Sequence, residues 1–419
     1  MNIYYIINGR LPTEKANGYQ ISQMCQALIE NGTKVRLLRP SRELNQSHKQ
    51  YQDNLKDFYN LRLNLDVDVI PAFDVQSFLH KNTPFLDKFQ PVWNLMNMIL
   101  FTIGLAFYFK KVSSDKNNYI YIRDVNICSW LRFLLPRELK DKIILELHYL
   151  PEKINRKKRY AEILKSCHRI IAITHKMKID LVSLGLDERL IHVEHDGVDL
   201  QSFSISKSKN EVREELGFPV ERFIIGYVGN FHTNGREKGI DDLIRASRAV
   251  LDSNPSVYFY FIGGPMDRVE RYVLIIKEMS LPRERFVFMD RVPTSVVPKV
   301  MKACDILTIP LPWNEHFAFY MSPMKLFEYM NAGVPIFATN VESLQEVIAH
   351  NESAYMVQHS NQYEMEKGLV ELANDAKLRN RLANNAISEV QEYSWDKRAK
   401  RIINFINSNG LNLNVGNNL

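Results

Sequence analysis

Residues 321–339 read MSPMKLFEYMNAGVPIFAT and predict a helix followed by a short buried strand. Ser322 followed by Pro323 is typical of a helix start, with serine as the N-cap and proline at the first helical position. Gly333 and the proline after it end the helix. VPIFAT then has the length and composition of a parallel strand that is covered on both faces. This stretch therefore indicates an α/β fold.

The same alternation of strand and helix patterns extends along most of the chain. Apolar runs of strand length are separated by amphipathic runs, which indicates parallel sheets covered by helices. The strand candidates are 4–8, 34–40, 67–70, 119–123, 142–148, 169–174, 190–197, 223–230, 257–264, 285–290, 305–311, 334–339 and 353–357. A polar connector, QSFSISKSKN, interrupts the pattern at 201–210. We predict two doubly wound, Rossmann-like domains in tandem.

The predicted domains are 1–200 and 201–390, and ligands of such folds bind outside the carboxyl ends of the strands. Two such domains side by side would place a cleft there. A C-terminal helix is expected over 391–408, packed back on the first domain. The polar residues 409–419 are expected to form a disordered tail.

Composition limits the class of protein. The chain has 419 residues and a net charge of 54 − 48 = +6, which suits an anionic ligand or a membrane surface without singling out nucleic acid, so no nucleic-acid partner is expected. Its scattered cysteines have no paired spacing and indicate a reducing compartment. The N-terminal MNIYYIINGR resembles a first strand rather than a signal peptide, so the predicted location is cytoplasmic.

An apolar run over 92–109, followed by Lys110 and Lys111, leaves three interpretations open. It is a buried helix, a helix with one face at a membrane interface, or a transmembrane span near the lower limit of length. A basic cluster, KINRKKRY (153–160), is either a solvated helix start or a patch that faces an anionic acceptor or lipid headgroups. A helix at a membrane interface and a basic patch facing lipid headgroups would together predict weak peripheral contact with the cytoplasmic face of a membrane.

The helix start at 321–339 has the features of an anion site. Backbone amides near Met324 to Leu326 have no partner in the helix and lie at the positive end of its dipole, where Lys325 adds charge. Glu328 lies about one turn further on, where a carboxylate can accept hydrogen bonds from a ribose diol. The alternative is a capped surface helix with a solvated glutamate.

SPMKLFEYMNAGVPIFAT resembles the donor-site signature of glycosyltransferase family 4, whose members have the GT-B fold and retain anomeric configuration. The resemblance implies that Ser322, Pro323, Lys325 and Leu326 hold a nucleotide sugar by its diphosphate. It also implies that Glu328 binds the ribose.

Other segments extend this resemblance over most of the chain. GYVGNFHTNGREKGIDDLI is similar to the family's segment ending in Lys-Gly, whose lysine, here Lys238, contacts phosphate. KANGYQISQMCQAL resembles the loop whose glycine, here Gly18, approaches the donor phosphates. ILELHYLP is similar to the strand end whose histidine, here His148, lies by the transferred sugar. The residues alone leave a solvated lysine open as an alternative for Lys238, and they favour a core histidine for His148.

Two positions depart from the family pattern. Tyr320 replaces a glutamate that commonly contacts the sugar, and Asn230 replaces an arginine at the edge of the donor site. Our hypothesis is that Arg236, in a loop that is longer here, supplies the missing charge beside Asn230.

The resemblance implies a retaining transfer from a nucleotide diphosphate sugar to a hydroxyl on a carbohydrate or lipid-linked acceptor, in polysaccharide or glycolipid assembly. His148, Lys238 and Glu328 are the expected catalytic residues, and neither a metal nor another cofactor is expected. The alternatives are a nucleotide-sugar epimerase of similar fold and a catalytically silent scaffold protein.

Overall fold

The computed structural model describes residues 1–13, 15–41, 48–72, 90–112, 115–233 and 235–408, without the side chains of 48–53, 90 and 233. The predicted tail at 409–419 lies outside these residues. The chain divides into two compact units, Met1–His195 with Trp395–Leu419, and Asp196–Ser394. The division falls between 195 and 196 rather than between 200 and 201 as predicted. Val198 belongs to the second unit, where its amide donates to the Tyr393 carbonyl at 3.0 Å.

The first unit contains a parallel sheet of seven strands within its described residues, in the order β3-β2-β1-β4-β5-β6-β7. The strands are β1 (Asn2–Ile6), β2 (Lys34–Pro40), β3 (Val67–Ile70), β4 (Asn118–Ile122), β5 (Ile143–Leu147), β6 (Arg169–Ala172) and β7 (Ile191–Val193). Every residue of β5 is buried, as expected of a strand covered on both faces. From β1 the order runs outward in both directions, so the topological switch point, where ligands of such sheets bind, lies between β1 and β4.

Helices cover both faces of this sheet. They are α1 (Ala16–Glu30), α2 (His48–Tyr59), α3 (Gln90–Phe109), α4 (Val125–Leu134), α5 (Arg137–Lys140), α6 (Ile154–Leu164) and α7 (His175–Ser183). The apolar α3 is neither fully buried nor separate from the unit. Its Phe101, Leu105 and Phe109 are buried, and a Cβ added to Gly104 would lie 2.8 Å from the Pro71 carbonyl oxygen. Within the described residues, one helix, Pro91–Phe109, is long and apolar enough to cross a membrane, and 39% of it is buried.

The second unit repeats the architecture. Its described residues form a parallel sheet in the order β12-β11-β8-β13-β14-β15 and a separate antiparallel pair, β9 with β10. The strands are β8 (Phe223–Val228), β9 (His232–Thr233), β10 (Arg236–Glu237), β11 (Val257–Ile262), β12 (Phe286–Met289), β13 (Ile306–Ile309), β14 (Ile336–Thr339) and β15 (Tyr355–Val357). The switch point of this sheet lies between β8 and β13.

The helices of the second unit follow the predicted alternation. They are α8 (Lys209–Leu216), α9 (Ile240–Ser253), α10 (Val269–Glu278), α11 (Val297–Lys302), α12 (Glu315–Phe319), α13 (Met324–Ala332), α14 (Glu342–Gln345), α15 (Gln362–Asn374) and α16 (Ala376–Val390). The hydroxyl of Tyr329 in α13 donates to the Val228 carbonyl at 2.9 Å and accepts from the Val228 amide at 2.7 Å. This pair of hydrogen bonds fixes α13 to the end of β8, at the switch point.

The last helix, α17 (Trp395–Asn407), belongs to the first unit and packs against α1. Its buried residues recur at helical spacing and form one face. Asn31 at the end of α1 donates to the Asp396 carboxylate at 2.9 Å, and Arg169 of β6 donates to the Phe405 carbonyl at 3.1 Å. Both ends of α17 are thereby tied to the first unit.

Candidate functional site

The start of α13 differs from the sequence prediction in its cap. Pro323, with extended backbone, is the N-cap residue, the helix begins at Met324, and no side chain caps it. The predicted capping by Ser322 is wrong, because the Ser322 hydroxyl accepts a hydrogen bond from the Asp196 amide at 2.8 Å instead. The helix end is therefore left open.

Two of the three amides predicted at this helix end remain available. The Leu326 amide donates to the Pro323 carbonyl at 2.9 Å, so it is not free for a ligand, which corrects the prediction. In the described part of the chain, the amides of Met324 and Lys325 have no hydrogen-bond partner. They lie at the positive end of the helix dipole, which favours an anion.

Two lysine ammonium groups lie in the same region, and no described residue supplies a bonded counter-anion to either. The Lys325 Nζ is buried 4.0 Å from the centre of the Tyr227 ring, with no hydrogen bond to any described residue. The Lys238 Nζ lies 4.5 Å from the centre of the Phe317 ring, and its nearest polar contact is the Met321 sulfur at 3.9 Å. A ring face attracts a cation, but it does not replace a counter-ion.

The environment opposes the charge on both lysines. Burial lowers the pKa of Lys238 to about 8, although the Glu237 carboxylate beside it acts in the other direction. Burial, with the nearby charge of Lys238, holds the pKa of Lys325 well below its usual value. Because an anion would relieve both effects, the pair is a candidate diphosphate site.

Glu328 is half-buried on the same helix and makes no hydrogen bond within the described residues. Burial raises its pKa to about 7, against the opposing effect of Lys325. This carboxylate is not a solvated surface group, so the geometry favours the predicted ligand-binding interpretation over the alternative.

Gly239 and Glu237 explain how Lys238 is presented. Gly239 has φ +85°, and an added Cβ would lie 1.5 Å from the Pro310 carbonyl oxygen, so glycine is required there. The Glu237 carboxylate accepts hydrogen bonds from the Gly239 and Ile240 amides, at 2.5 and 2.7 Å, and caps α9. The start of α9 is thus already satisfied by protein, unlike the start of α13.

The structure describes both residues that depart from the family pattern, Asn230 and Tyr320. The Asn230 carbonyl accepts a hydrogen bond from the Tyr227 hydroxyl at 2.7 Å, and Tyr320 is buried. Arg236 lies in β10. Burial, followed by the charges of Arg236 and Lys238, lowers the pKa of His316 to about 4. His316 was not predicted. Its one local signal is its place in the loop before the Ser-Pro helix start.

In the first unit, His148 lines a cavity of about 300 Å³ at the switch point between β1 and β4. Polar side chains at the ends of three strands line it together with apolar ones, and Asn8, Arg123 and Asp124 are among them. Gly18 lies in α1, where it packs closely against another side chain: an added Cβ would lie 2.2 Å from the Tyr59 hydroxyl. The structure thus gives Gly18 a packing role that the sequence did not predict.

The predicted site residues therefore fall into two groups, one in each unit. Lys238, Lys325, Glu328 and the open start of α13 lie together at the switch point of the second unit. His148 lines the cavity of the first.

Family comparison agrees with this geometry. Residues 208–389 match the family model described as glycosyl transferases group 1, and this range lies inside the second unit. Residues 208–389 of the second unit are therefore similar to glycosyl transferases group 1, which agrees with the predicted class of enzyme.

The D-inositol 3-phosphate glycosyltransferase of Corynebacterium glutamicum is 26% identical over 243 residues, covering 57% of this chain and 53% of that protein. The uncharacterized glycosyltransferase MJ1607 of Methanocaldococcus jannaschii is 27% identical over 250 residues, covering 58% and 61%. The match thus spans a little over half the length of these relatives.

Solved structures of similar fold cover nearly the whole chain. Anabaena Alr3699/HepE in complex with UDP and glucose has a TM-score of 0.69 at 15% identity, covering 97% of this chain and 99% of that one. WaaG, a glycosyltransferase involved in lipopolysaccharide biosynthesis, has a TM-score of 0.64 at 14% identity, covering 97% and 100%. These likenesses confirm the predicted fold class, two Rossmann-like domains of the GT-B type.

Proposed function

We propose that the protein is a retaining, family 4-like glycosyltransferase that moves a sugar from a nucleoside diphosphate sugar to a hydroxyl acceptor. The observation that carries the proposal is the open start of α13 beside Lys238 and Lys325. Two cations at a helix N-terminus, with no counter-ion bonded to them among the residues that the structure describes, suit a diphosphate, and UDP in HepE supports a nucleotide donor.

The proposed chemistry is positioning and charge stabilisation. The bond from the sugar C1 to the diphosphate oxygen breaks, and the acceptor oxygen bonds to C1 on the same face. The acceptor proton passes to the departing diphosphate. Lys238, Lys325 and the open amides stabilise the negative charge that develops on this leaving group, and Arg236 adds to the positive field. Glu328 anchors the ribose, and His148 contributes the sugar contact that the resemblance assigns to it. No step requires a metal.

Incubation with a panel of nucleoside diphosphate sugars tests this proposal against its alternatives. Transfer predicts slow release of nucleoside diphosphate, and proton NMR of the product should show the anomeric configuration of the donor. Isomerised sugar nucleotide would indicate an epimerase. Neither change, with any donor, would indicate a silent scaffold protein and overturn the proposal.

We further propose that α3 is the anchor of a peripheral protein at the cytoplasmic face of an anionic membrane, where polysaccharide or glycolipid precursors are available as acceptors. Its exposed apolar residues recur at helical spacing and form a stripe opposite the buried face: Val92, Leu95, Met96, Ile99, Ile103 and Phe107. Helix α4, which packs against α3, exposes three more: Trp130, Phe133 and Leu134. A helix held to the unit by its other face suits interfacial insertion rather than a span.

Positive charge lies beside this apolar surface. Helix α6, which carries the basic cluster, packs against α4. Lys153, Arg156, Lys158 and Arg159 are exposed, whereas Lys157 is half-buried with its Nζ 3.9 Å from Asp180. The four exposed groups are therefore the ones expected to attract lipid headgroups, each by ~1 kcal/mol.

Cosedimentation with vesicles tests the membrane proposal. Binding to vesicles that contain anionic lipid should fall at high salt and after replacement of the four exposed basic residues by glutamine. Replacement of Lys207, Lys209, Lys299 and Lys302 in the second unit makes the same charge change and should leave binding intact. Absence from the anionic pellet at low salt would end the proposal, and salt-independent binding released only by detergent would indicate a span.

A further inference from the structure

Glu146 is a buried carboxylate at the end of β5 that connects His148 to the C-terminal helix. Its Oε1 forms a hydrogen bond with Nε2 of His148. Its Oε2 accepts hydrogen bonds from the Tyr121 hydroxyl and, at 3.0 Å, from Nη2 of Arg398. Only 1% of the Glu146 and Arg398 side chains is exposed. Charges buried to this extent are retained when they are paired and hydrogen-bonded, as these are.

Arg398 is held by more than this ion pair. Its Nε donates to the His195 carbonyl at 2.8 Å, and its Nη1 lies 3.1 Å from the Met24 sulfur in α1. The guanidinium therefore has a fixed orientation, which it imposes on Glu146. The Glu146 carboxylate thus connects Arg398 of α17 to His148 of the cavity, although the two residues are far apart in the sequence.

The charges decide which nitrogen of His148 carries the proton. Arginine stays protonated, and Arg398, with the hydrogen bond from His148 and with Arg123 at 3.7 Å, holds the pKa of Glu146 well below its usual value despite burial. An ionised carboxylate can only accept, so Nε2 of His148 must donate. Burial and Arg123 lower the pKa of His148 to about 4, so the ring is neutral near pH 7 and its Nδ1 carries no proton.

We propose that Arg398 and Glu146 are positioning residues that fix His148 as a neutral imidazole protonated on Nε2, which leaves Nδ1 as a hydrogen-bond acceptor for a ligand hydroxyl. Nδ1 has no hydrogen-bond partner among the described residues. A neutral acceptor binds a sugar hydroxyl and repels a phosphate oxygen. The assignment of that hydroxyl to a transferred sugar rests on the proposed function.

The other groups that face this cluster keep the arrangement constant with pH. Tyr121 and Tyr5 are buried beside the Glu146 charge, and both effects raise their pKa values well above the usual one. The pKa of the Cys25 thiol is raised by the same causes. These groups remain neutral from pH 5.5 to 8.5, so no titration among them should move the proton on His148.

Long-range proton–nitrogen NMR of the full chain labelled with ¹⁵N-histidine tests the proposal. His148, assigned by its loss in His148→Gln, should be neutral and protonated on Nε2 from pH 5.5 to 8.5. His195 is an internal reference of the opposite tautomer, because its Nδ1 lies 3.0 Å from the Ile173 carbonyl and must donate. A proton on Nδ1 of His148, or a charged ring at pH 6, overturns the proposal.

Variants at Arg398 test its part in this arrangement. Arg398→Gln removes one of the positive charges that oppose a protonated His148 and should raise the pKa of His148 from about 4, with donor turnover falling more at pH 5.5 than at pH 7. Arg398→Lys retains the charge and should keep His148 neutral. If both variants lower turnover by the same factor at every pH, Arg398 is merely structural and its positioning role is refuted. Absence of turnover in the wild type would refute the proposed function and leave the NMR result valid.

Discussion

The lysine pair makes a quantitative prediction: binding of a nucleoside diphosphate should take up protons. Burial lowers the pKa of Lys238 to about 8, and burial with the nearby charge of Lys238 also holds the pKa of Lys325 well below its usual value. A bound diphosphate supplies the missing counter-charge. If it restores Lys238 to its ordinary pKa of about 10.4, the coupling is worth roughly 3 kcal/mol, at 1.36 kcal/mol per pKa unit.

The sign follows from the direction of the shift. At pH 8.5 the free Lys238 is about one-quarter protonated and the bound one fully so, which gives an uptake of roughly 0.75 proton. Lys325 adds up to about one more, and a terminal phosphate with a second pKa near 6 adds none at this pH. Affinity should therefore fall as pH rises above about 8, by up to about tenfold per pH unit from Lys238 alone.

Calorimetry with UDP at pH 8.5, in buffers of different ionisation enthalpy, measures the uptake directly. Lys238→Gln should lower it by roughly 0.75 proton and weaken binding by ~1.5–3 kcal/mol, the range for hydrogen bonds to charged groups. Lys299→Gln makes the same charge change at a half-buried site of this unit, where the ammonium already pairs with Glu215 at 2.9 Å, and should alter neither. Zero uptake, or release of protons on binding, would refute the reasoning.

Three further predictions concern single residues. Glu328→Gln should weaken UDP binding by ~1.5–3 kcal/mol in calorimetry. Burial raises the pKa of Glu328 to about 7, so ionisation of this carboxylate destabilises the folded protein. The destabilisation is absent below about pH 4.5 and complete above about pH 7. In urea unfolding, the free energy of unfolding of this variant should therefore increase relative to that of the wild type as pH rises. An equal gain in Glu342→Gln, at an exposed site, would contradict this cause. Gly239→Ala should cost more than ~2 kcal/mol in urea unfolding because of the clash with the Pro310 carbonyl, whereas Gly235→Ala, also at positive φ (+76°) but with open space around it, should cost about 1; equal losses would contradict the steric argument. His148→Ala should lower donor turnover at least ~10-fold, about 1.4 kcal/mol, and leave UDP affinity unchanged in calorimetry; full turnover would remove His148 from the site.

The fold was predictable because buried parallel strands have a local signature. VYFYFI and VPIFAT are largely apolar runs of strand length, and the structure has strands at 257–262 and 336–339. The helix start at Met324 was also predicted to within a residue, since proline restricts the backbone there.

The cap of that helix could not be predicted, because the partner of the Ser322 hydroxyl is an amide 126 positions away. Local capping rules assume that a serine before a helix has no competing hydrogen-bond partner. The tertiary fold supplied an alternative, and it left the helix start open for an anion.

Long-range contacts also explain what the sequence missed at Gly18 and Arg398. The glycine pattern near the N-terminus carries no sign that Tyr59 will pack against it. Arg398 lies in a helix with ordinary amphipathic spacing, where an arginine is expected on the exposed face. Its burial against Glu146 follows from the docking of α17, which periodicity alone does not specify.

A crystal structure of the protein with bound UDP tests the central claim most directly. The account predicts the diphosphate within hydrogen-bond distance of the Met324 and Lys325 amides and the Lys238 ammonium, with the ribose hydroxyls on Glu328. A nucleotide bound elsewhere on the chain, with the start of α13 still open, would contradict it.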